Sequence, residues 1–516
     1  MPAKTLQRLR PWVQLAAFLL FVGLLIAVGK TGWLPADLFF RLDPLTGLAQ
    51  MLAARQITVT LLIGAAIALV AALLLGRAWC GWICPLGTVL DWTPARRARP
   101  KENDSTAASG GGLSPRWRQV KYFLLALIAV AALLGNLTFL LFDPITIIYR
   151  TLTTAVWPAL NALFSASEPI LYRLPPLRGP IDALESTARG TLLPAQQPLY
   201  GLNVLVALLF IGILALNAVR ARFWCRYLCP LGGLLGLVSK VAWLRRTVGD
   251  VCIECQRCAR ACPTGTIDAS RGFASDPAEC IMCLDCVPTC SRASQHFAGH
   301  LKPAAWRSYD PSRRQFLVSA GAALTAVGLF AAEPAARRDH ARLIRPPGAQ
   351  EPEFLSRCIR CGICLKVCPT SGLQPSLAEA GWQGLWTPVL MPRLGHCDFA
   401  CNACGQACPT AAIPPLSLAE KRTAIIGHAY IDRSRCLPWA SDRNCIVCEE
   451  MCPLPKKAIV LEEAEMLSAL GEKVILRRPH VLIDRCIGCG ICENRCPLNS
   501  ESAIRVYAPT DLSAIG

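Results

Sequence analysis

Cys252-Ile253-Glu254-Cys255-Gln256-Arg257-Cys258-Ala259-Arg260-Ala261-Cys262-Pro263 decides how this chain is read. Three thiolates in so tight a loop wrap three corners of an iron–sulfur cubane, and the short spacers let backbone N–H groups reach the sulfurs. The fourth cysteine opens a segment that points away and ligates the other cluster of a two-cluster module. Cys280, Cys283, Cys286 and Cys290 repeat the spacing without the following proline. Cys358, Cys361, Cys364 and Cys368 repeat it before Pro369, and Cys486, Cys489, Cys492 and Cys496 before Pro497. Two variants complete the set. Cys397, Cys401, Cys404 and Cys408 open with a three-residue gap, and Cys436, Cys445, Cys448 and Cys452 with an eight-residue gap. About six [4Fe–4S] clusters are therefore expected. Cys252, Cys255 and Cys258 should share one with Cys290, and Cys280, Cys283 and Cys286 should take Cys262. In the C-terminal part a nested pairing is expected, the 358 motif with the 486 motif and the 397 motif with the 436 motif. Zinc sites use two close cysteine pairs separated by a long gap, and disulfides within such short loops would be strained.

The six quartets use 24 of the 28 cysteines. The other four are Cys80, Cys84, Cys225 and Cys229, in two Cys-x3-Cys-Pro motifs. Residues i and i+4 share a helix face, so the two pairs could converge on one tetrathiolate site. A redox-active disulfide and a set of inert buried thiols are the alternatives. None of the six histidines (296, 300, 340, 396, 428 and 480) lies in a long apolar run, which argues against a membrane haem held by two histidines. No Cys-x-x-Cys-His occurs for covalent haem attachment.

Outward from the cysteines, the composition is that of a membrane protein. Hydrophobic residues make up 53% of 516, and the mean hydropathy is +0.39. Runs long enough to span a bilayer lie at about 12–29, 57–75, 122–142 and 203–219. A fifth, shorter run is Phe316–Ala332. No small-x-small cleavage site follows the first run in Val28-Gly29-Lys30-Thr31-Gly32-Trp33, so it is not expected to be a removed signal peptide. From Arg337 onward there are 21 basic and 18 acidic residues, +3 of the total +18, which leaves +15 on the membrane half. Loop orientation explains that excess better than nucleic-acid binding does. Lys4, Arg8, Arg10 and the basic 91–121 loop belong in the cytoplasm, the charge-balanced 143–200 loop in the periplasm, and Arg220, Arg222, Arg226, Lys240, Arg245 and Arg246 again in the cytoplasm.

The membrane half repeats itself. Asp43-Pro44-Leu45-Thr46 answers Asp143-Pro144-Ile145-Thr146, and Arg77-Ala78-Trp79-Cys80 answers Arg222-Phe223-Trp224-Cys225. Cys84-Pro85-Leu86-Gly87 answers Cys229-Pro230-Leu231-Gly232. Asp43 and Asp143 read as N-caps with proline at the first helical position, or as carboxylates taking a quinol proton. Ser312-Arg313-Arg314-Gln315-Phe316-Leu317 is similar to a twin-arginine export signal, or is the basic flank of a membrane helix. Residues 103–115 read as a loop tip and 333–352 as a linker.

Two families are resembled. Residues 10–295 resemble NapH/MauN-type membrane ferredoxins through the two Trp-Cys-x3-Cys-Pro motifs and the cluster pair that follows. Residues 311–508 resemble MauM/NapG-type ferredoxins. The carrying segments are Arg357-Cys358-Ile359-Arg360-Cys361-Gly362, Gly384-Leu385-Trp386-Thr387-Pro388, Cys401 to Thr410, and Cys486-Ile487-Gly488-Cys489-Gly490-Ile491-Cys492-Glu493-Asn494. The resemblance implies quinol oxidation coupled to a periplasmic reductase such as nitrate reductase, or service to methylamine dehydrogenase.

The expected fold is a membrane α-helical four-helix repeat bundle joined to α+β ferredoxin-like domains of the bacterial 2[4Fe–4S] kind. Its parts are a membrane domain (1–245), a cytoplasmic ferredoxin domain (246–300), an internal signal or fifth membrane helix (311–333), a linker (334–352) and a periplasmic four-cluster domain (353–510). The expected setting is a bacterial inner membrane, with the quinone pool and a periplasmic reductase or cytochrome as partners. The expected role is an electron relay; a maturation factor that supplies electrons and a thiol-based redox sensor are the other classes.

Overall fold

The computed structural model describes residues 3–29, 35–93, 115–189, 192–194, 196–300, 313–331, 343–351, 353–377, 379–467 and 473–509. The 103–114 part of the expected loop tip, Ser312 and most of the 333–352 linker lie outside them. The chain forms two compact units. One contains Met1–Ala27, Thr31–Thr151 and Val204–Ala331, the other Val28–Lys30, Leu152–Asn203 and Ala332–Gly516. These boundaries depart from the expected ones at two places. The 246–300 ferredoxin belongs to the same unit as the N-terminal helices, and the 152–203 segment belongs with the C-terminal ferredoxin.

In the first unit one helix among the described residues, Lys4–Ala27, is long and apolar enough to cross a membrane. Val59–Leu75, Gln119–Leu133, Asn203–Val219 and Pro230–Ser239 are shorter apolar helices. The 122–142 run is not one helix. It ends at Leu133, where Gly135 takes φ +77° and the Asn136 side chain accepts from the Thr138 N–H at 2.7 Å; a separate 3-10 turn, Thr138–Phe142, follows. Gly135 can adopt that left-handed conformation because it has no Cβ.

Both Asp-Pro motifs start helices. Asp43 accepts from the Leu45 N–H at 2.9 Å and heads Pro44–Ala54, while Asp143 accepts from the Thr146 N–H at 2.8 Å and heads Pro144–Thr151. Both aspartates are fully buried. The Arg313–Ala331 helix packs its Ala323 against Leu127 and Ala131.

Each ferredoxin part is built on short antiparallel pairs. Leu244–Val248 pairs with Gln295–Gly299 and Ile267–Asp268 with Ala274–Ser275 in the first. In the second, His428–Ile431 pairs with Ile504–Tyr507, Leu373–Pro375 with Pro388–Leu390, and Ile459–Leu467 with Lys473–Val481. The second unit's core joins apolar residues to the cysteines, with Phe354, Ile413 and Ile459 in one cluster with Cys358, Cys364, Cys486 and Cys492. Its 152–203 segment is tied in by the Tyr200 hydroxyl, which donates to the Leu365 carbonyl at 3.0 Å. Gln374 donates to the Leu199 carbonyl at 2.8 Å, and Lys366 lies over the Trp157 ring.

Candidate metal centres

In the four regular motifs the backbone winds the same way. The residue before the second cysteine and the residue after it both take positive φ: Glu254 and Gln256, Met282 and Leu284, Arg360 and Gly362, Gly488 and Gly490. Two left-handed residues around the middle cysteine curl the loop so that successive amides face inward, a concavity suited to anions. Five of the eight could not be anticipated from glycine content, because Glu254, Gln256, Met282, Leu284 and Arg360 carry side chains; Gly362 is the one glycine of its pair, and only the 486 motif has glycine at both places. The variants wind otherwise: Asn402 has φ −130° and Ile446 has φ −117°.

The thiols gather in fours. Cys252, Cys255, Cys258 and Cys290 line one hollow. Cys262 lies in the electrostatic field of Cys280, Cys283 and Cys286. This is the crossed exchange expected of a two-cluster module. In the C-terminal part the pairing differs from the nested one. Cys358, Cys361 and Cys364 meet Cys408, while Cys368 meets Cys397, Cys401 and Cys404. Cys436, Cys445 and Cys448 meet Cys496, while Cys452 interacts with Cys486 and Cys489, and these two with Cys492. Sequence neighbours pair, and the loops they close are the shorter ones. The two modules join where the Cys397 N–H donates to the Cys489 carbonyl at 2.9 Å.

The surroundings suit thiolate-bound clusters. The Ala429 N–H points at the Cys486 sulfur at 3.3 Å. In Cys262-Pro263-Thr264 and Cys368-Pro369-Thr370 the threonine hydroxyl sits 3.5 Å from the cysteine sulfur, and in Cys408-Pro409-Thr410 3.8 Å. Such contacts stabilise sulfur charge and tune potential. Burial pushes the Cys280 thiol up to about 11 and those of Cys286, Cys404, Cys448 and Cys489 to about 12. Without metal these groups stay protonated, so metal binding must displace their protons.

The first ferredoxin is fixed to the helices by buried ion pairs that sequence reading did not single out. The Lys121 ammonium lies 2.6 Å from the Glu279 carboxylate, the Arg77 guanidinium 3.3 Å and that of Arg118 3.8 Å. Burial alone would raise the Glu279 carboxyl, but Lys121, Arg118 and Arg77 hold it down to about 2. Arg10 bridges Asp91 and Asp285, and Arg222 grips Asp91 with two nitrogens at 2.7 Å each. The signal for Arg77 and Arg222 was present in the repeated Arg-x-Trp-Cys. The four repeat cysteines are all buried.

Comparison with known proteins gives matches along the chain. A model described as a 4Fe–4S binding domain matches residues 57–101 and 202–249, a 4Fe–4S dicluster domain matches 357–413, and another 4Fe–4S binding domain matches 479–500. The methylamine utilization ferredoxin-type protein MauM of Methylorubrum extorquens is 36% identical over 221 residues, covering 40% of this chain and 93% of the relative. The ferredoxin-type protein NapG of Escherichia coli is 34% identical over 210 residues, 39% of this chain and 88% of the relative. The putative electron transport protein YccM of Escherichia coli is 26% identical over 283 residues, 54% of this chain and 65% of the relative. No solved structure matches the chain.

Proposed function

The chain belongs to the MauM/NapG family of ferredoxin-type proteins, and on that premise we propose that it is a two-sided iron–sulfur relay carrying electrons from the quinone pool, or from a cytoplasmic donor, to a periplasmic reductase or cytochrome. Six quartets would hold six [4Fe–4S] clusters, each taking and giving one electron. The N-terminal half would supply a NapH/MauN-type membrane part, with the 57–75, 119–133 and 203–219 segments spanning beside the first helix. Two clusters would then face the cytoplasm and four the periplasm.

One observation carries the two-sided reading. Loops assigned to opposite sides by charge each pack with a different ferredoxin. The basic residues Arg10, Arg77 and Arg118 hold the 252–290 module, whereas the charge-balanced 152–203 segment holds the C-terminal module through Tyr200 and Leu199. Within the latter, the quartets succeed one another from the Cys358 group through the Cys397 and Cys489 groups to the Cys436 group. The protein's own contribution is to seat each cluster, exclude water and set its potential through amide and hydroxyl contacts to sulfur.

The test is quinol addition to the purified protein under anaerobic conditions, followed by EPR. Cluster signals should grow with quinol and reoxidise with a quinone of higher potential. Signals unmoved by quinol but reduced by a cytoplasmic flavodoxin would reassign the donor. A reporter joined after Gly516 should be active in the periplasm. The relatives named for methylamine utilization favour one second reading, an electron-supplying maturation factor. Under it, loss of this protein would remove the mature target enzyme rather than electron flow to an intact one.

A further inference from the structure

The four cysteines outside the quartets sit where the two repeats meet. Cys80, Cys84, Cys225 and Cys229 are each at most 6% exposed, and each lies in the electrostatic field of at least two of the others. The repeats reach across one another to enclose them. Arg222 of the second donates to the Cys80 carbonyl at 2.7 Å and to the Gly87 carbonyl at 3.3 Å, both in the first. Arg77 of the first enters the Cys229-Pro230-Leu231-Gly232 turn of the second so closely that a Cβ on Gly232 would stand 2.6 Å from its guanidinium and 3.4 Å from the Cys229 sulfur. The Gly232 N–H donates to that sulfur at 3.2 Å, the amide-to-sulfur contact also made at Cys486.

Two further observations favour a bound group there. Arg77 is 1% exposed and Trp224 6%, yet the Arg77 Nε and the Trp224 indole N–H have no hydrogen-bond partner among the described residues. Buried donors of this kind are rarely left unmatched. The ion-pair network around the thiols is also unbalanced. Arg10, Arg77, Arg118, Lys121 and Arg222 face Asp91, Glu279 and Asp285, five positive charges against three negative. Buried charge needs compensation; the cysteines of the adjoining ferredoxin cluster face Arg10, Arg77 and Arg222 as well, and the repeat thiols supply none while neutral. A cluster with a 2+ core and four thiolates carries a net charge of about −2.

We propose that Cys80, Cys84, Cys225 and Cys229 bind one further iron–sulfur cluster, one cysteine pair from each repeat, with Arg77 and Arg222 as its buried counter-charges. The model matching 57–101 and 202–249 is described as a 4Fe–4S binding domain, and these four are the only cysteines in those ranges. The centre adjoins the first ferredoxin. The Trp82 indole donates to the Met282 carbonyl at 2.9 Å, Gly81 packs on the Ile281 backbone, and Arg222 feels both Cys225 and Cys283. It is thus the relay's step between the cytoplasmic clusters and the membrane interior. One electron moves at a time: as the cluster of Cys280, Cys283 and Cys286 is oxidised, the repeat cluster is reduced, or the reverse, and no atom is transferred.

The inference rests on the relay reading, and iron analysis of the full chain in detergent separates the two. Wild-type protein should carry two to four iron atoms beyond the roughly 24 of six cubanes, and Cys80→Ser/Cys225→Ser should lose that excess while the EPR signals of the other clusters persist. A wild-type content of about 24 with no change in the variant would overturn the inference and leave the relay reading standing. So would stoichiometric zinc, or a Cys80–Cys84 disulfide by mass spectrometry of anaerobically purified protein. If the variant does not fold, Mössbauer spectra of iron-57-labelled wild type decide the matter. A component beyond the six cubanes supports the inference and its absence defeats it. Iron far below 24 in wild type would instead sink the relay reading.

Discussion

At the scale of single residues, backbone conformation around the middle cysteine of each motif controls whether a cluster can be seated. A Cβ at Gly488 would lie 2.4 Å from the Gly427 backbone, at φ +75°. Gly488→Ala should therefore displace the loop and lower the iron content by about four atoms per chain, one cubane, as read by iron analysis and the loss of one EPR component. Gln256 adopts φ +58° with a side chain present, a strain of about 1 kcal/mol. Gln256→Gly should keep full iron content and slightly raise the unfolding midpoint. Glu279 gives a third prediction. Glu279→Gln should destabilise the first unit by about 3–5 kcal/mol, because it removes the partner of buried cations. Its carboxyl is held at about 2 against an ordinary 4.5. A depressed carboxyl stabilises the fold above its unfolded value and loses that contribution as the pH falls. Thermal midpoints should thus be insensitive to this group above about pH 4.5 and decline toward pH 2, a dependence absent from the variant.

At the scale of elements, the two Asp-Pro helix starts and the 152–203 segment do most to define the architecture. Asp43→Ala or Asp143→Ala should cost about 1–2 kcal/mol each through loss of the cap, whereas Asn at either position should retain most of it; denaturant midpoints in detergent would distinguish the two. Asp43 and Asp143 were legible as caps because a short acceptor before proline has few other local uses. The break after Leu133 was not legible from hydropathy, since Leu134 and Leu137 keep the run apolar while Gly135 and Asn136 turn the backbone. Nor was the attachment of 152–203 to the C-terminal ferredoxin, which depends on contacts such as Tyr200 to Leu365 across more than 160 residues. Tyr200→Phe should weaken that attachment by about 1 kcal/mol, seen as faster proteolysis within the segment.

At the scale of the whole molecule, the proposed relay would depend on where clusters lie relative to one another, and here sequence and tertiary structure contributed different things. The spacing of the 24 quartet cysteines was enough to name the chemistry, because a cubane corner demands thiolates within a few residues and few other sites do. It was also enough to predict the Cys262 and Cys290 exchange, a local property of one module. It was not enough to pair the four C-terminal motifs. Four loops of similar spacing can be matched in several ways, and the choice made, 358 with 397 and 436 with 486, follows from which loops fold onto each other. The repeated Arg-x-Trp-Cys and Cys-Pro-Leu-Gly could be read as a repeat, but not that each arginine serves the opposite copy. Local chemistry is written in residue type and spacing. Which distant groups share a site depends on how the chain packs, and burial then decides that Arg77, Arg222 and Glu279 need partners that an exposed surface would not have required.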